Sequence, residues 1–94
     1  VFIANDRMAL GFLHAMRQRG ISIPGQLSVV GFDDLEESQY AYPPLTTVRQ
    51  DFRALGERAM QLLLLEIKGT AYKKLDRLVP ELVVRGSTAR LSAL

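Results

Sequence analysis

Hydrogen-bonding side chains follow three short apolar runs of the sequence, each at the point where a strand is expected to end. The three groups are Asn5-Asp6, Asp33-Asp34 and Gln50-Asp51-Phe52. Amides and carboxylates supply donors and acceptors for the hydroxyls or amines of a small polar ligand, and Phe52 supplies an apolar face for a ring. The carboxyl ends of parallel strands lie at one edge of a sheet, with neighbouring strands about 4.8 Å apart. These groups are therefore candidates for one ligand site.

A purely structural interpretation of the same residues stays open. Asn and Asp are preferred at helix N-caps and in turns because their side-chain oxygens accept hydrogen bonds from nearby backbone N–H groups. Asn5, Asp6, Asp33 and Asp51 can therefore serve only as caps and turn formers. Spacing alone does not decide between a ligand site and a set of caps.

Signals for catalysis, metals or cofactors are weak in this sequence. The chain has no cysteine and one histidine, His14, and it contains no Gly-x-Ser-x-Gly segment, so a catalytic triad has no support. The acidic stretch of Asp33-Asp34 and Glu36-Glu37 lacks a calcium-loop pattern and is interpreted as a solvated loop. No glycine-rich phosphate loop is present. We expect no enzymatic activity, no metal site and no cofactor.

Length and composition indicate a small globular unit. The 94 residues are 48% hydrophobic and 23% charged, with a net charge of +2 that is too small to predict nucleic-acid binding by this segment. Apolar runs such as Leu62–Leu65 fall far short of the roughly 20 residues of a membrane-spanning helix, and no signal peptide is recognised. The chain opens with Val1 inside an expected strand, so we expect a piece of a longer protein.

Apolar periodicity and turn residues predict alternating strands and helices. The expected order is a strand at 1–4, a helix from Asp6 to Arg19, strands at 27–32 and 45–49, a helix from Asp51 to Gly69, and a strand at 78–85. A single helical turn is expected within 35–42, before Pro43-Pro44. This alternation of strands and helices predicts a three-layer α/β fold with a mostly parallel sheet.

The helical stripes predict which side chains are buried. On the second helix the expected buried positions are Phe52, Leu55, Ala59, Leu62, Leu63 and Ile67. On the first helix the stripe of Met8, Phe12 and Met16 is expected to be buried, which turns Leu10 and His14 outward.

An outward-facing Leu10 would join Tyr40 and Tyr42 in an apolar patch that a two-fold dimer can bury. Two alternatives remain open. Leu10 can instead pack inward, since Ala9 and Leu13 widen the buried face, and the tyrosines can pack on their own loop.

Four segments resemble the lactose-repressor (LacI) family of bacterial transcription regulators. They are Ala4-Asn5-Asp6-Arg7-Met8-Ala9-Leu10-Gly11, Ser28-Val29-Val30-Gly31-Phe32-Asp33-Asp34 with Pro24 before it, Pro43-Pro44-Leu45-Thr46-Thr47-Val48-Arg49-Gln50-Asp51-Phe52 with Leu55-Gly56 after it, and Leu82-Val83-Val84-Arg85-Gly86-Ser87-Thr88. The resemblance implies one subdomain of a periplasmic-binding-protein-like (type I) clamshell. It assigns residues 1–94 to the C-terminal subdomain of an effector-binding and dimerisation core, without the DNA-binding headpiece and the N-terminal subdomain.

The resemblance also implies a function and its partners. It points to the effector-sensing and dimerisation part of a cytoplasmic, sugar-responsive transcription regulator, a repressor that binds a small sugar or related metabolite. Operator DNA would be bound only through the absent headpiece, and no membrane contact is expected. The alternative is a periplasmic-type sugar-binding protein that serves a transporter or chemoreceptor.

Individual site residues are carried over by position. Asn5 and Asp33 match the family's contacts to effector hydroxyls, and Gln50 and Phe52 match positions that line the same cleft. A second set falls where the family forms its core dimer, and a homodimer is therefore expected. This set is Leu10, His14, Tyr40, Ala41 and Tyr42.

Overall fold

The computed structural model describes residues 1–69 and 77–91. Two helices, three strands and one 3₁₀ helix follow one another along the chain. They are α1 (Asp6–Gln18), β1 (Val30–Asp33), the 3₁₀ helix (Glu36–Tyr40), β2 (Thr46–Arg49), α2 (Phe52–Ile67) and β3 (Glu81–Val83). The expected alternation of strands and helices is confirmed, with strands that are shorter than their apolar runs.

The three strands form one sheet in the order β1-β2-β3. Strands β1 and β2 are parallel, with Val30 opposite Thr46, whereas β2 and β3 are antiparallel, with Val48 opposite Leu82. Phe2 adds one parallel bridge to Val30, so the strand expected at 1–4 is reduced to a single bridge. The mixed α/β class predicted from the sequence is confirmed.

The chain divides into two compact units, which the sequence interpretation did not foresee. Unit 1 comprises Val1–Arg49 and Glu81–Leu94, and unit 2 comprises Gln50–Pro80. The whole sheet and α1 belong to unit 1, and α2 belongs to unit 2. The chain leaves unit 1 after β2 and returns to it at β3. The assignment of residues 1–94 to the C-terminal subdomain of an effector-binding core stays a prediction.

The returning segment is fixed to unit 1 by buried polar contacts. Ser87 is fully buried, and its hydroxyl donates to the carbonyl of Val29 at 2.6 Å and accepts from the backbone N–H of Thr46 at 2.8 Å. The backbone N–H of Val29 donates to the carbonyl of Ser87 at 2.9 Å. Unit 1 is therefore completed by residues that lie some 40 to 60 positions away in the sequence.

The core of unit 1 shows that the predicted orientation of α1 is wrong. Its buried apolar residues are Ala9, Leu13, Val29 and Leu45, with Ile3, Leu10, Phe12, Ile23 and Ala41 packed against them in half-buried positions. Met8, which was expected to be buried, is 58% exposed. The small residue Ala9 lies on the buried face of α1, and Leu10 packs against the same core. This agrees with the alternative in which Leu10 packs inward.

Helix α2 also differs from expectation. Asp51 caps it by accepting a hydrogen bond from the backbone N–H of Ala54 at 3.0 Å, and Gly69 follows its end with a φ of +65°. No residue of α2 is buried, however, and Phe52 and Ile67 are 55% and 71% exposed. The apolar stripe that was expected to be buried on α2 is therefore not buried.

One buried carboxylate connects three elements of unit 1. Asp6 is fully buried at the start of α1, and its Oδ2 accepts hydrogen bonds from the backbone N–H of Leu35 at 2.9 Å and the hydroxyl of Ser38 at 2.5 Å. Its Oδ1 accepts from the hydroxyl of Thr47 at 2.6 Å. A Cβ atom at position 31 would collide with the same Oδ1, which explains a glycine there. The sequence analysis offered a ligand contact or a cap at Asp6, whereas the structure shows a buried carboxylate that joins distant segments.

We predict that Asp6→Ala lowers the free energy of unfolding by about 3 kcal/mol, because three buried donors lose their acceptor. Asp51→Ala, which removes an exposed cap, should cost about 1 kcal/mol. Urea unfolding followed by circular dichroism measures both changes. Equal losses for the two variants would contradict the structural role assigned to Asp6.

Candidate functional site

Two of the predicted ligand residues lie at the same edge of the sheet in unit 1. Phe2 and Val30 are partners in a parallel bridge, and Asn5 and Asp33 each come three residues later in their segments. Both side chains are half-buried, so neither is withdrawn from solvent. The structure therefore brings Asn5 and Asp33 to one carboxyl edge, as the sequence predicted.

Asn5 is a helix cap that retains hydrogen-bonding capacity. Its Oδ1 accepts the backbone N–H of Met8 at 2.9 Å, which confirms the capping interpretation. This bond uses the amide oxygen and leaves the two N–H donors of Nδ2 outside the cap. Capping and ligand binding are therefore compatible at this residue.

Within the described part of the chain, Asp33 neither caps a helix nor takes part in an ion pair. Among residues 1–69 and 77–91, no hydrogen bond or salt bridge engages its carboxylate. Its backbone φ is +114°, a region that residues other than glycine rarely occupy. Such backbone conformations concentrate at functional sites, where the surrounding structure imposes them. A half-buried carboxylate in this setting can accept hydrogen bonds from a ligand.

The neighbouring Asp34 behaves in the opposite way. Its side chain is only 11% exposed, and its two oxygens engage two arginines. Arg49 Nε lies 2.7 Å from Oδ2, and Arg85 Nη2 lies 2.9 Å from Oδ1. Burial alone would raise the pKa of Asp34, but hydrogen bonds and charges from the two arginines outweigh it and lower the pKa below its ordinary value of 3.8. The sequence interpretation took this residue for part of a solvated acidic loop and missed the pairing.

The other two predicted ligand residues belong to unit 2. Gln50 is half-buried, and its carbonyl accepts the backbone N–H of Phe52 at 3.1 Å. Phe52 begins α2 with its ring largely exposed. Gln50 also lines a groove of about 540 Å³ within unit 2, together with Asp51, Leu55, Arg58, Leu62, Arg77, Leu78, Val79 and Pro80.

The residues predicted for dimer contact fall into two groups. Tyr40 and Tyr42 are 75% and 77% exposed, and His14 is exposed on α1. Leu10 and Ala41 instead are half-buried and pack against the core. The expectation that Leu10 faces solvent is therefore wrong, because the buried face of α1 is centred on Ala9 and Leu13.

Neither a cluster of metal ligands nor a membrane-spanning helix is found among the described residues. Residues 1–69 and 77–91 contain no group of three His, Cys, Asp or Glu side chains that could hold a metal ion. In the same ranges, no helix has both the length and the apolar character required to cross a membrane.

Comparison with known proteins identifies the family. A family model described as a periplasmic binding protein-like domain matches residues 1–88. A lac repressor dimer bound to operator and the anti-inducer ONPF has a TM-score of 0.84 and 44% sequence identity, over 93% of this chain and 30% of that chain. The chain belongs to the LacI family. A LacI family regulator from Enterococcus faecium with bound ribose has the same TM-score with 34% identity, over 98% of this chain and 35% of that chain.

Curated relatives of this LacI-family chain are named transcription regulators. The regulator MalR of Streptomyces coelicolor is 50% identical over 90 residues, which make up 95% of this chain and 26% of that protein. The repressor PurR of Vibrio campbellii is 40% identical over 93 residues, or 98% of this chain and 28% of that protein. The chain thus spans about a quarter to a third of the length of the proteins it resembles. The resemblance stated from the sequence motifs is confirmed.

We predict that unit 1 loses stability in acid as Asp34 is protonated. A lowered folded-state pKa means that the pairs with Arg49 and Arg85 stabilise the fold above the ordinary pKa, and that this contribution is lost as pH falls through the lowered value. Glu81 also faces Arg49, at 3.9 Å. Asp34→Asn should cost about 2 kcal/mol at neutral pH.

The same variant should flatten the pH dependence. Between about pH 5 and pH 2 its free energy of unfolding should fall less steeply than that of the parent. Urea titrations at several pH values measure this difference, with Glu57→Gln as a control that removes only the exposed pair of Arg53 and Glu57. Parallel curves for Asp34→Asn and the parent would contradict the assignment.

Proposed function

We propose that the chain is the effector-sensing and dimerisation part of a longer bacterial transcription regulator, a repressor that responds to a sugar or a related metabolite. The observation that carries this proposal is the half-buried Asp33 carboxylate, which stands beside Asn5 at the sheet edge without a partner among the described residues. Residues 1–94 would belong to the C-terminal subdomain of the effector-binding core. Relatives named as regulators and repressors support the role in transcription.

The donor and acceptor pattern suits a polyhydroxylated effector. Asp33 supplies a charged acceptor and Asn5 supplies the N–H donors of Nδ2, so together they can bind neighbouring hydroxyl groups. For Gln50 and Phe52, which belong to unit 2, a role in effector binding stays a prediction from the family resemblance. The ribose bound by the Enterococcus faecium relative supports a sugar as the effector class.

Effector binding would act by shifting a conformational equilibrium. A ligand that binds one arrangement of the core more tightly than another increases the population of that arrangement. Operator DNA would be bound through a headpiece outside these residues, since a net charge of +2 gives this segment little attraction for phosphates. We place the protein in the cytoplasm, where operator DNA lies, and assign it no enzymatic activity or cofactor.

Association would use the exposed aromatic surface of unit 1. The guanidinium of Arg17 lies 5.1 Å from the ring centroid of Tyr42, within the range of a cation–π contact. Together with Tyr40 and His14, Tyr42 forms a surface that a second copy can cover, and Leu10 and Ala41 support this surface from the core side. The lac repressor neighbour is itself a dimer, which supports this assignment.

We predict that Asp33→Asn in the complete regulator weakens effector binding at least about tenfold, because a charged acceptor is replaced in part by a donor. Asn5→Ser, which keeps a capping oxygen and removes the amide donors, should also weaken binding. Calorimetry with ribose, glucose and maltose measures the affinities. Operator binding without effector should stay as in the parent.

Two outcomes would overturn the proposed function. One is that none of these sugars binds the parent more tightly than about 1 mM. The other is that Asp33→Asn and Asn5→Ser bind the sugar as the parent does, which would reduce both residues to turn and cap roles. Asp51→Ser serves as the control, since it changes a cap in unit 2 that is not assigned to the site.

We also predict that Tyr42→Lys shifts the complete regulator toward the monomer. A charge placed in a covered apolar surface must be desolvated without a partner, which disfavours association. Analytical ultracentrifugation measures the change, and circular dichroism should remain as in the parent. Leu91→Lys adds the same charge at a fully exposed apolar position outside the surface. A dimer in Tyr42→Lys at the parent's affinity would place the interface elsewhere.

A further inference from the structure

Two consecutive residues at the end of β1 have left-handed backbone conformations. The φ angle is +114° at Asp33 and +58° at Asp34. Side chains of L-residues disfavour this region, and a pair in succession persists only where the surrounding structure imposes it. The turn after β1 is therefore held by contacts from elsewhere in the fold.

Those contacts act on Asp34. Arg49, the last residue of β2, holds one carboxylate oxygen, and Arg85, two residues beyond β3, holds the other. The backbone N–H of Asp34 also donates to the hydroxyl of Thr47, at 3.4 Å. Residues from two other strand ends thus fix one side chain in the turn.

Arg85 is itself firmly placed. Its Nη1 donates to the carbonyl of Leu45 at 3.0 Å, and its backbone N–H donates to the hydroxyl of Thr46 at 2.9 Å. Its side chain is only 15% exposed. Arg49 is more open, with 49% of its side chain exposed and a second carboxylate, that of Glu81, at 3.9 Å.

Asp33 depends on this arrangement because no described residue restrains its carboxylate directly. We propose that Arg49 and Arg85 are positioning residues, which act through Asp34 to fix the turn that presents the Asp33 carboxylate to the effector. This inference rests on the proposed function, in which Asp33 contacts the effector. The arginines also neutralise Asp34, so that two adjacent carboxylates can stand together while only Asp33 has its charge available to a ligand.

The geometry favours a positioning role for Arg49 and Arg85 over direct contact with the effector. Each oxygen of Asp34 is engaged by an arginine, and only 11% of the side chain is exposed, so little of it is open to a ligand. Asp34 and its two arginines therefore shape the site without forming part of its binding surface. If the arginines position the turn, replacing them loosens the turn even without effector. If they only contact the effector, replacing them leaves the turn unchanged when no effector is bound.

The test uses the complete regulator without effector and with the panel sugar that binds the parent most tightly. Arg85→Met should raise amide hydrogen exchange at Asp34 and Leu35 about tenfold and weaken sugar binding about tenfold, the loss expected for a charge-assisted bond. Arg49→Met, at a more exposed site, should change both readouts in the same direction by a smaller factor. Exchange in α1 should not change.

Controls separate positioning from general loss of stability. Arg53→Met breaks an exposed arginine–glutamate pair and should leave both readouts as in the parent. Arg85→Lys keeps the charge and should lie between Arg85→Met and the parent. If Arg85→Met does not fold, Arg49→Met and Arg85→Lys provide the same comparison.

The outcomes are distinct. Faster exchange together with weaker binding supports the positioning role. Unchanged exchange overturns it, and weaker binding with unchanged exchange would mean that the arginines touch the sugar themselves. Faster exchange with unchanged binding also overturns it, because the turn would then not control affinity. If Asp33→Asn binds the sugar as the parent does, the proposed function fails instead, whatever the arginine variants show.

Discussion

The buried carboxylate of Asp6 is the constraint on which the rest of unit 1 depends. It accepts hydrogen bonds from the turn after β1, from the 3₁₀ helix and from β2, through Leu35, Ser38 and Thr47. A carboxylate removed from water is tolerated only when its oxygens are occupied by donors. The start of α1, the turn and the sheet must therefore be in place together, and that arrangement defines the edge at which Asn5 and Asp33 lie.

The two adjacent aspartates of the turn after β1 differ in their partners. The carboxylate of Asp34 forms ion pairs with Arg49 and Arg85. The carboxylate of Asp33 is half-buried and remains able to accept hydrogen bonds. The side chain with structural partners restrains the turn, and its neighbour is the proposed effector contact. A strained backbone and a solvent-accessible charge thus coexist within two residues.

The proposed dimer surface and the proposed effector site involve different residues of unit 1. The core residues of α1 point Leu10 inward, so the exposed surface that a partner copy can cover consists mainly of His14, Tyr40 and Tyr42. Asn5, which caps the start of the same helix, lies at the carboxyl edge of the sheet.

Much of this protein was determined by the sequence alone. Apolar periodicity, the caps Asn5 and Asp51 and the stop at Gly69 placed the ends of both helices within about two residues, because these are local signals. The motifs identified the family and singled out Asn5 and Asp33. Only the tertiary structure decided the division into two units, the inward turn of Leu10 and the partners of Asp34. Each of these depends on contacts between residues far apart in the chain. The spacing and type of residues in one segment do not specify which distant side chains will contact it.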